Sequence, residues 1–344
     1  MKNTCCLSKR IGKIALIVLC AILALVLVVL LVAPLVTTII FHDFFKDAEK
    51  EFRIPGLADG FVPQGFTYLP DQQVYLQCGY MSDGESASRI YTIPKSDPQK
   101  AYYVELVTAD GAPYTGHTGG ITVSGNFLWM ANDGEGEDNC VWVLTIYDLF
   151  RKEAGETIPL KLSFRPETRA AYCFVEKNHL WVGEFYRPVD YPTKESHTFS
   201  VAGGVEQHAL IACYPLDTEN ELGIVPGAPT ALISVPNHVQ GFTRDEYGHF
   251  ILSTSYGLSK SHFLFYDNVM STEIDGYLNV DGTDVPVWFL DEQVFKRDLE
   301  CPPMSEEIVI YRDRIYYLTE SASKKYIFGN FIRGRHVYSI PLEH

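Results

Sequence analysis

Beyond its N-terminal block the sequence has no N-x-S/T sequon. It also has no C-x-x-C pair and no P-loop, H-E-x-x-H or G-x-S-x-G motif. Without a phosphate-cradling loop, a zinc helix or a nucleophile elbow, the commonest nucleotide, metalloprotease and serine-hydrolase chemistries lack their residues. Five cysteines follow the N-terminal block (Cys78, Cys140, Cys173, Cys213 and Cys301), an odd number with no paired spacing, so neither a disulfide framework nor a zinc knuckle is expected. A long chain facing a secretory lumen would ordinarily carry glycan acceptors, and their absence points to a bacterial cell surface. Basic charge is scarce too. Lys and Arg number 28 against 43 Asp and Glu, giving −15; the first 13 residues contribute +4, so the remainder carries −19. Such a surface repels a phosphate backbone, and nucleic acid is not an expected partner.

One long hydrophobic run is present. From Ile14 to Phe41 no residue is charged, and at about 1.5 Å per helical residue the run exceeds the ~30 Å core of a bilayer. Lys2, Lys9, Arg10 and Lys13 precede it without an acid, whereas Asp43, Asp47, Glu49 and Glu51 follow it. The positive-inside rule then puts the N-terminus in the cytoplasm and the rest outside. The expected organisation is a cytoplasmic tail (1–13), a transmembrane helix (14–41), a stalk (42–48) and an extracytoplasmic domain (49–344), with the span as an uncleaved signal-anchor of the cell membrane. The alternatives are cleavage near Ala33, which Pro34 disfavours, and lipidation at Cys20, where Leu19 replaces the small residue expected.

The rest of the chain repeats. QGFTYLPDQQVYLQCGY (from Gln64), GGITVSGNFLWMAND (from Gly119), AAYCFVEKNHLWVGEF (from Ala170), QGFTRDEYGHFILSTSYG (from Gln240) and EEIVIYRDRIYYLTES (from Glu306) share one pattern. Their spacings are 55, 51, 70 and 66 residues. Each reads as a β-hairpin by period-two alternation, aromatic and β-branched enrichment and a polar turn. Third strands are expected at Arg89–Pro94, 141–148, 209–216, 262–267 and 336–342. Fourth strands are expected at Tyr102–Val107, 156–164, 230–236 and 285–291. The fifth unit runs out of chain, and residues 49–56 are available to complete it, as when one terminus of a propeller closes the ring begun by the other. The expectation is an all-β, five-bladed β-propeller; the two longer spacings leave room for a sixth blade.

In such a blade, the start of the first strand and the end of the second meet at one mouth of the central channel. That rule gathers Gln64, His117, Arg169, Glu184, His238, Gln240, Glu306 and Glu320 as candidate ligand-binding residues, and Glu306, Glu184 and Asn132 as candidate metal ligands. Each has a plainer role beside it. The histidines and glutamines can simply bond neighbouring backbone, Glu184 can pair with Arg169 or Arg187, and one of Glu306 and Glu307 is expected in solvent. The acidic loop 132–139 has the oxygens that calcium prefers but no EF-hand order. Trp129, Trp181, Tyr316 and Tyr317 are expected to pack between blades.

The motifs PQGF (Pro63–Phe66), VQGF (Val239–Phe242) and PPMSEEI (Pro302–Ile308) resemble those of uncharacterised, membrane-anchored bacterial surface propellers, a resemblance that implies a fold and no activity. More distantly, five-bladed calcium-dependent apyrases hold their ion at positions matching Gln64, Gly119, Ala170, Gln240 and Glu306, only one of which is acidic here. Similarity to five-bladed glycosidases would cast Asp59, Glu184 and Glu306 as the working carboxylates. Similarity to six-bladed paraoxonase-like propellers would give Glu306, Asn132 and Glu184 to calcium. The expectation is a surface propeller binding a small molecule, glycan or protein at the channel mouth. The alternative is a calcium-assisted hydrolase or lyase acting on a small ester, lactone or glycoside, with His117 or His238 moving the proton.

Overall fold

The computed structural model describes residues 2–342; Met1 of the expected tail and residues 343–344 of the expected outer domain lie outside the described residues. An N-terminal helix, Lys2–Ile40, is followed by a five-bladed β-propeller. The stretch Lys13–Ile40 is long and apolar enough to cross a membrane.

Period-two alternation builds the ring. Successive side chains of a strand point to opposite faces, so each blade offers one apolar face to the blade before it and one to the blade after. In the second strand of blade 2, Leu128 and Met130 pack toward blade 1 while Trp129 and Ala131 pack toward blade 3. In blade 3, Leu180 and Val182 face back and Trp181 faces forward. In blade 4, Phe250 and Leu252 face back and Ile251 faces forward. Five apolar clusters result, one per seam. Trp129, Trp181, Tyr316 and Tyr317 are buried in them, and each such side chain contributes roughly 1.5–3 kcal/mol by leaving water.

The inner strands are Phe61–Leu69, Thr118–Ser124, Tyr172–Glu176, Val239–Arg244 and Ser305–Tyr311. The ring closes as the sequence implied. Glu49–Arg53 lies antiparallel to His336–Pro341, with Glu49 opposite Ser339 and Arg53 opposite His336, so blade 5 takes its outer strand from the other end of the chain. Phe41 and Phe44 insert beneath that strand into the seam of blades 4 and 5, where Phe44 meets the rings of Phe263, Tyr317 and Tyr338. Arg333 donates to Thr38 Oγ1 at 2.7 Å.

Two outer strands differ from expectation. Blade 4 is completed by Phe295–Cys301, not by 285–291. Thr283–Phe289 instead forms a hairpin with Gly276–Val280 across Asp281-Gly282, both at positive φ, and joins blade 3 in parallel beside Ala231–Val235. Asp-Gly between alternating apolar residues is the two-residue hairpin signal. The true edge strand carries Lys296, Arg297, Asp298 and Glu300, charges that guard an open edge and conceal it from a search for apolar strands. In blade 2 the expected fourth strand is two pieces. Thr157–Pro159 extends blade 1 in parallel, and Leu162–Phe164 completes blade 2. The third strand of blade 2 also ends early, because Thr145 caps the short helix Ile146–Phe150 by accepting from the Asp148 amide.

Candidate functional site

The Gln-Gly and Gly-Gly pairs that open the repeats coincide with β-bulges. Pairing slips between Pro63 and Gly65, Thr118 and Gly120, Val239 and Gly241, and Ser305 and Ile308. A bulge re-aims one side chain, and here the bulged residues Gln64, Gly119, Gln240 and Glu306 line one central cavity. Ala171 is the lining residue in blade 3; Ala170 is buried in the seam with blade 2.

The glycine after each bulge has a different task. A Cβ at Gly241 would lie 2.7 Å from the Glu307 Cα, and one at Gly65 would lie 2.7 Å from Gly120 C and Ile121 N. Backbone of adjacent blades can close this tightly only around glycine. Within the closed ring sits Glu307, which is buried, not solvated. Its Oε2 accepts from the Phe66 amide at 2.6 Å and the Ile121 amide at 3.0 Å, and the Cys173 amide bonds the same carboxyl. One carboxyl from blade 5 thus ties blades 1, 2 and 3 at the axis. Burial pushes its pKa well above the carboxylate range, against the pull of those three amides.

Above this plug the cavity has a volume of about 790 Å³, and every blade contributes to its wall. Its floor is acidic. Glu306 is 2% exposed, faces the cavity and has no hydrogen-bond partner among the described residues. Burial, then the charges of Glu320 and Glu307, raise its pKa well above the usual range, and Lys325 opposes them. Glu320 accepts from Gln64 Nε2 at 2.9 Å. Burial raises it to about 7, against Lys325, Tyr326 and Gln64. Two interacting carboxyls in one site cannot both ionise at ordinary pH without cost. Tyr80, Tyr191, Tyr256, Tyr326 and Phe185 wall the mouth, and Lys325 crosses it to bond the Tyr80 hydroxyl at 2.5 Å. The His117 ring is open to the cavity and lies 5.0 Å from the Tyr80 ring. Surrounding protein, then Lys325, lowers its pKa.

Of the residues nominated from the sequence, Gln64, His117, Gln240, Glu306 and Glu320 meet in this cavity. The others stand around it in holding roles. Glu184 is buried and fully engaged: it accepts from the Arg169 and Leu210 amides at 2.9 Å each and meets His197 Nδ1 at 3.0 Å. His197 also reaches Glu167 at 3.1 Å. Burial pulls the His197 pKa down, but Glu167 and Glu184 overcome this and raise it to about 9. The Arg169 side chain bonds Asp133 at 2.7 Å, pinning the acidic loop to blade 3. His238 sits at φ +66, its ring between Phe185 and Tyr256, and burial, then Arg187, lowers its pKa. Asn132 bonds the Asp138 carbonyl at 2.6 Å and lines a neighbouring recess of about 690 Å³. Asp59 is exposed on the turn before blade 1.

Glu306, Glu184 and Asn132 therefore do not form one ligand set. Among the described residues no three His, Cys, Asp or Glu side chains are grouped to hold a metal ion. Sequence reasoning missed Tyr80, Tyr191, Tyr256, Lys325 and Tyr326. Tyr80 and Tyr256 fall at or just past the ends of second strands (Val74–Met81 and Phe250–Thr254), where the mouth rule would have found them.

No family model matches the chain, and no curated protein matches its sequence. Among solved structures, an exo-β-1,3-galactanase from Phanerochaete chrysosporium aligns at 10% identity and TM-score 0.47, over 86% of this chain and 64% of that one. The chain thus spans less than two thirds of the galactanase. A PQQ-bound aldose sugar dehydrogenase from Streptomyces coelicolor aligns at 11% identity and TM-score 0.45, over 86% and 97%. BamB from Moraxella catarrhalis aligns at 8% and 0.32, over 86% and 99%.

Proposed function

We propose that this chain is a membrane-anchored, extracytoplasmic propeller that binds a small polar ligand in its central cavity. The observation that carries the reading is the cavity itself: about 790 Å³, with walls from all five blades, aromatic at the mouth and polar at the floor. Such concave sites with a few convergent polar groups are where proteins take small molecules. The helix Lys13–Ile40 supports anchoring, and the basic residues before it support a cytoplasmic N-terminus.

The test uses the full chain in detergent or nanodiscs. Thermal shifts are recorded with neutral sugars, carboxylic acids, phosphates and organic ammonium salts, for the wild type and the double variant Glu306→Gln/Glu320→Gln. A compound that stabilises the first and not the second supports the reading. No difference between the two proteins with any class removes it.

Glu306 and Glu320 line the same cavity, and burial raises both carboxyls, which favours a second reading, general acid–base hydrolysis of a glycoside or ester. Chromogenic glycosides and esters decide it. Turnover with a bell-shaped pH profile, lost in Glu306→Gln and in Glu320→Gln, would promote it over simple binding. The dispersal of Glu184 and Asn132 gives no support to a calcium-assisted step.

A further inference from the structure

We propose that the central cavity recognises an organic ammonium ion, and that the Lys325 side chain occupies that ion's place in the free protein. This rests on the ligand-binding reading of the cavity and names the class of ligand.

Charge within the cavity comes first. Of the acids in its lining, Asp133 is paired with Arg169 and Asp190 with Arg187. Glu306 and Glu320 remain, and Lys325 is the cation that lines the cavity with them. Glu306 is buried, faces the open space and has no hydrogen-bond partner among the described residues. A carboxyl so placed keeps only a small contact with the cavity and has no donor from the described residues, so a donor or a cation entering the cavity would stabilise it.

The mouth points to the same class independently. The Lys325 ammonium lies 4.8 Å from the Tyr80 ring centroid and 5.4 Å from that of Tyr326. Around the rim, the Arg187 guanidinium lies 4.1 Å from the Tyr256 centroid and that of Arg169 lies 6.0 Å from Tyr191. At Tyr80 the ammonium is held by the hydroxyl at the ring edge, whereas Tyr256, Tyr191 and Tyr326 have cations within about 6 Å of their ring centroids, the range in which a ring quadrupole attracts a weakly hydrated positive charge. A hard divalent ion prefers several oxygens and gains little from aromatic faces. Arg169 and Arg187 are tied by their carboxylate partners. Lys325 is exposed on the loop after Glu320, and its side-chain bond is to the Tyr80 hydroxyl. A ligand ammonium entering between Tyr80 and Tyr326 would displace Lys325 and stand in the cavity that Glu306 and Glu320 line.

The experiment is titration calorimetry on the full chain in nanodiscs at constant ionic strength, with choline as the probe and glucose and calcium chloride as comparators. Lys325→Ala removes the competitor at an exposed position, and choline is expected to bind it at least ten-fold more tightly than wild type. Glu306→Gln should weaken choline at least ten-fold; if that variant fails to fold, the Lys325→Ala result decides alone. Choline binding unchanged or weaker in Lys325→Ala would overturn the proposal. Binding of glucose or calcium without choline would overturn the ammonium class and leave the cavity a ligand site. Silence from all three probes, together with an empty thermal-shift panel, would take down both.

Discussion

Replacing Glu307 by Gln probes the centre of the ring. The wild-type carboxyl accepts from the amides of Phe66, Ile121 and Cys173, which belong to blades 1, 2 and 3. A glutamine keeps one acceptor oxygen and turns a donor toward what remains. If its oxygen stays with Phe66 and Ile121, its NH2 group faces the Cys173 amide, leaving one buried donor unsatisfied at about 1–3 kcal/mol. Burial raises the Glu307 pKa, so no loss of charge assistance is added for the two surviving bonds, and the expected net loss is about 2 kcal/mol. Glu307→Ala leaves all three amides unpaired and should cost more. All four tryptophans lie in the propeller, so their fluorescence reports its thermal unfolding. At roughly 2–4 °C per kcal/mol for a chain of this size, the Gln variant should melt about 4–8 °C lower. A midpoint within about 1 °C of wild type for both variants would refute the reasoning, since blades not held at the axis by this carboxyl would not notice its loss.

Gly241→Ala and Gly65→Ala drive a Cβ to 2.7 Å from neighbouring backbone and should each cost at least about 1–3 kcal/mol. Gly276→Ala, where the nearest atoms lie at 3.7 Å, should melt like wild type by the same fluorescence. Stability should also fall as pH rises, in two windows. Glu320 is raised in the folded state to about 7, so its folded form holds the proton longer and loses up to about 3 kcal/mol between roughly pH 4.5 and 7. His197, raised to about 9, contributes in full below about pH 6.5 and loses a similar amount as pH climbs through 9. Melting curves across pH should show the lower decline flattened in Glu320→Gln and the upper one in His197→Gln; unchanged profiles would contradict these shifts. Arg333→Ala removes the bond to Thr38 and the guanidinium lying 4.3 Å from the Phe45 ring. Hydrogen exchange at residues 41–45 should rise in that variant while the cavity loops stay as protected as before.

The sequence by itself determined the ring. Alternation along each strand specifies which residues face the blade before and which the blade after, and repeated four-strand units can bury both faces by closing on one another. It also revealed that Glu49–Arg53 was owed to blade 5, because that blade lacked an outer strand and the others did not. Outer strands were legible only where they were apolar. Phe295–Cys301 carries the charges an open edge requires, and those charges erased the signal that period-two reading depends on. Tertiary structure decided which of the nominated polar residues reach the axis and which are held away from it. Glu306 and Glu307 are adjacent and chemically alike, yet a bulge turns one into the cavity and the other into a nest of amides from three blades. Glu184 and Glu320 both close second strands. The first is claimed by a histidine from a loop 13 residues on, a contact no local pattern encodes. The second keeps its face to the cavity because Gln64, 256 residues away in sequence, arrives beside it. Strand periodicity is a short-range property of the chain, whereas the protonation and availability of a buried carboxyl depend on whatever the closed ring brings against it.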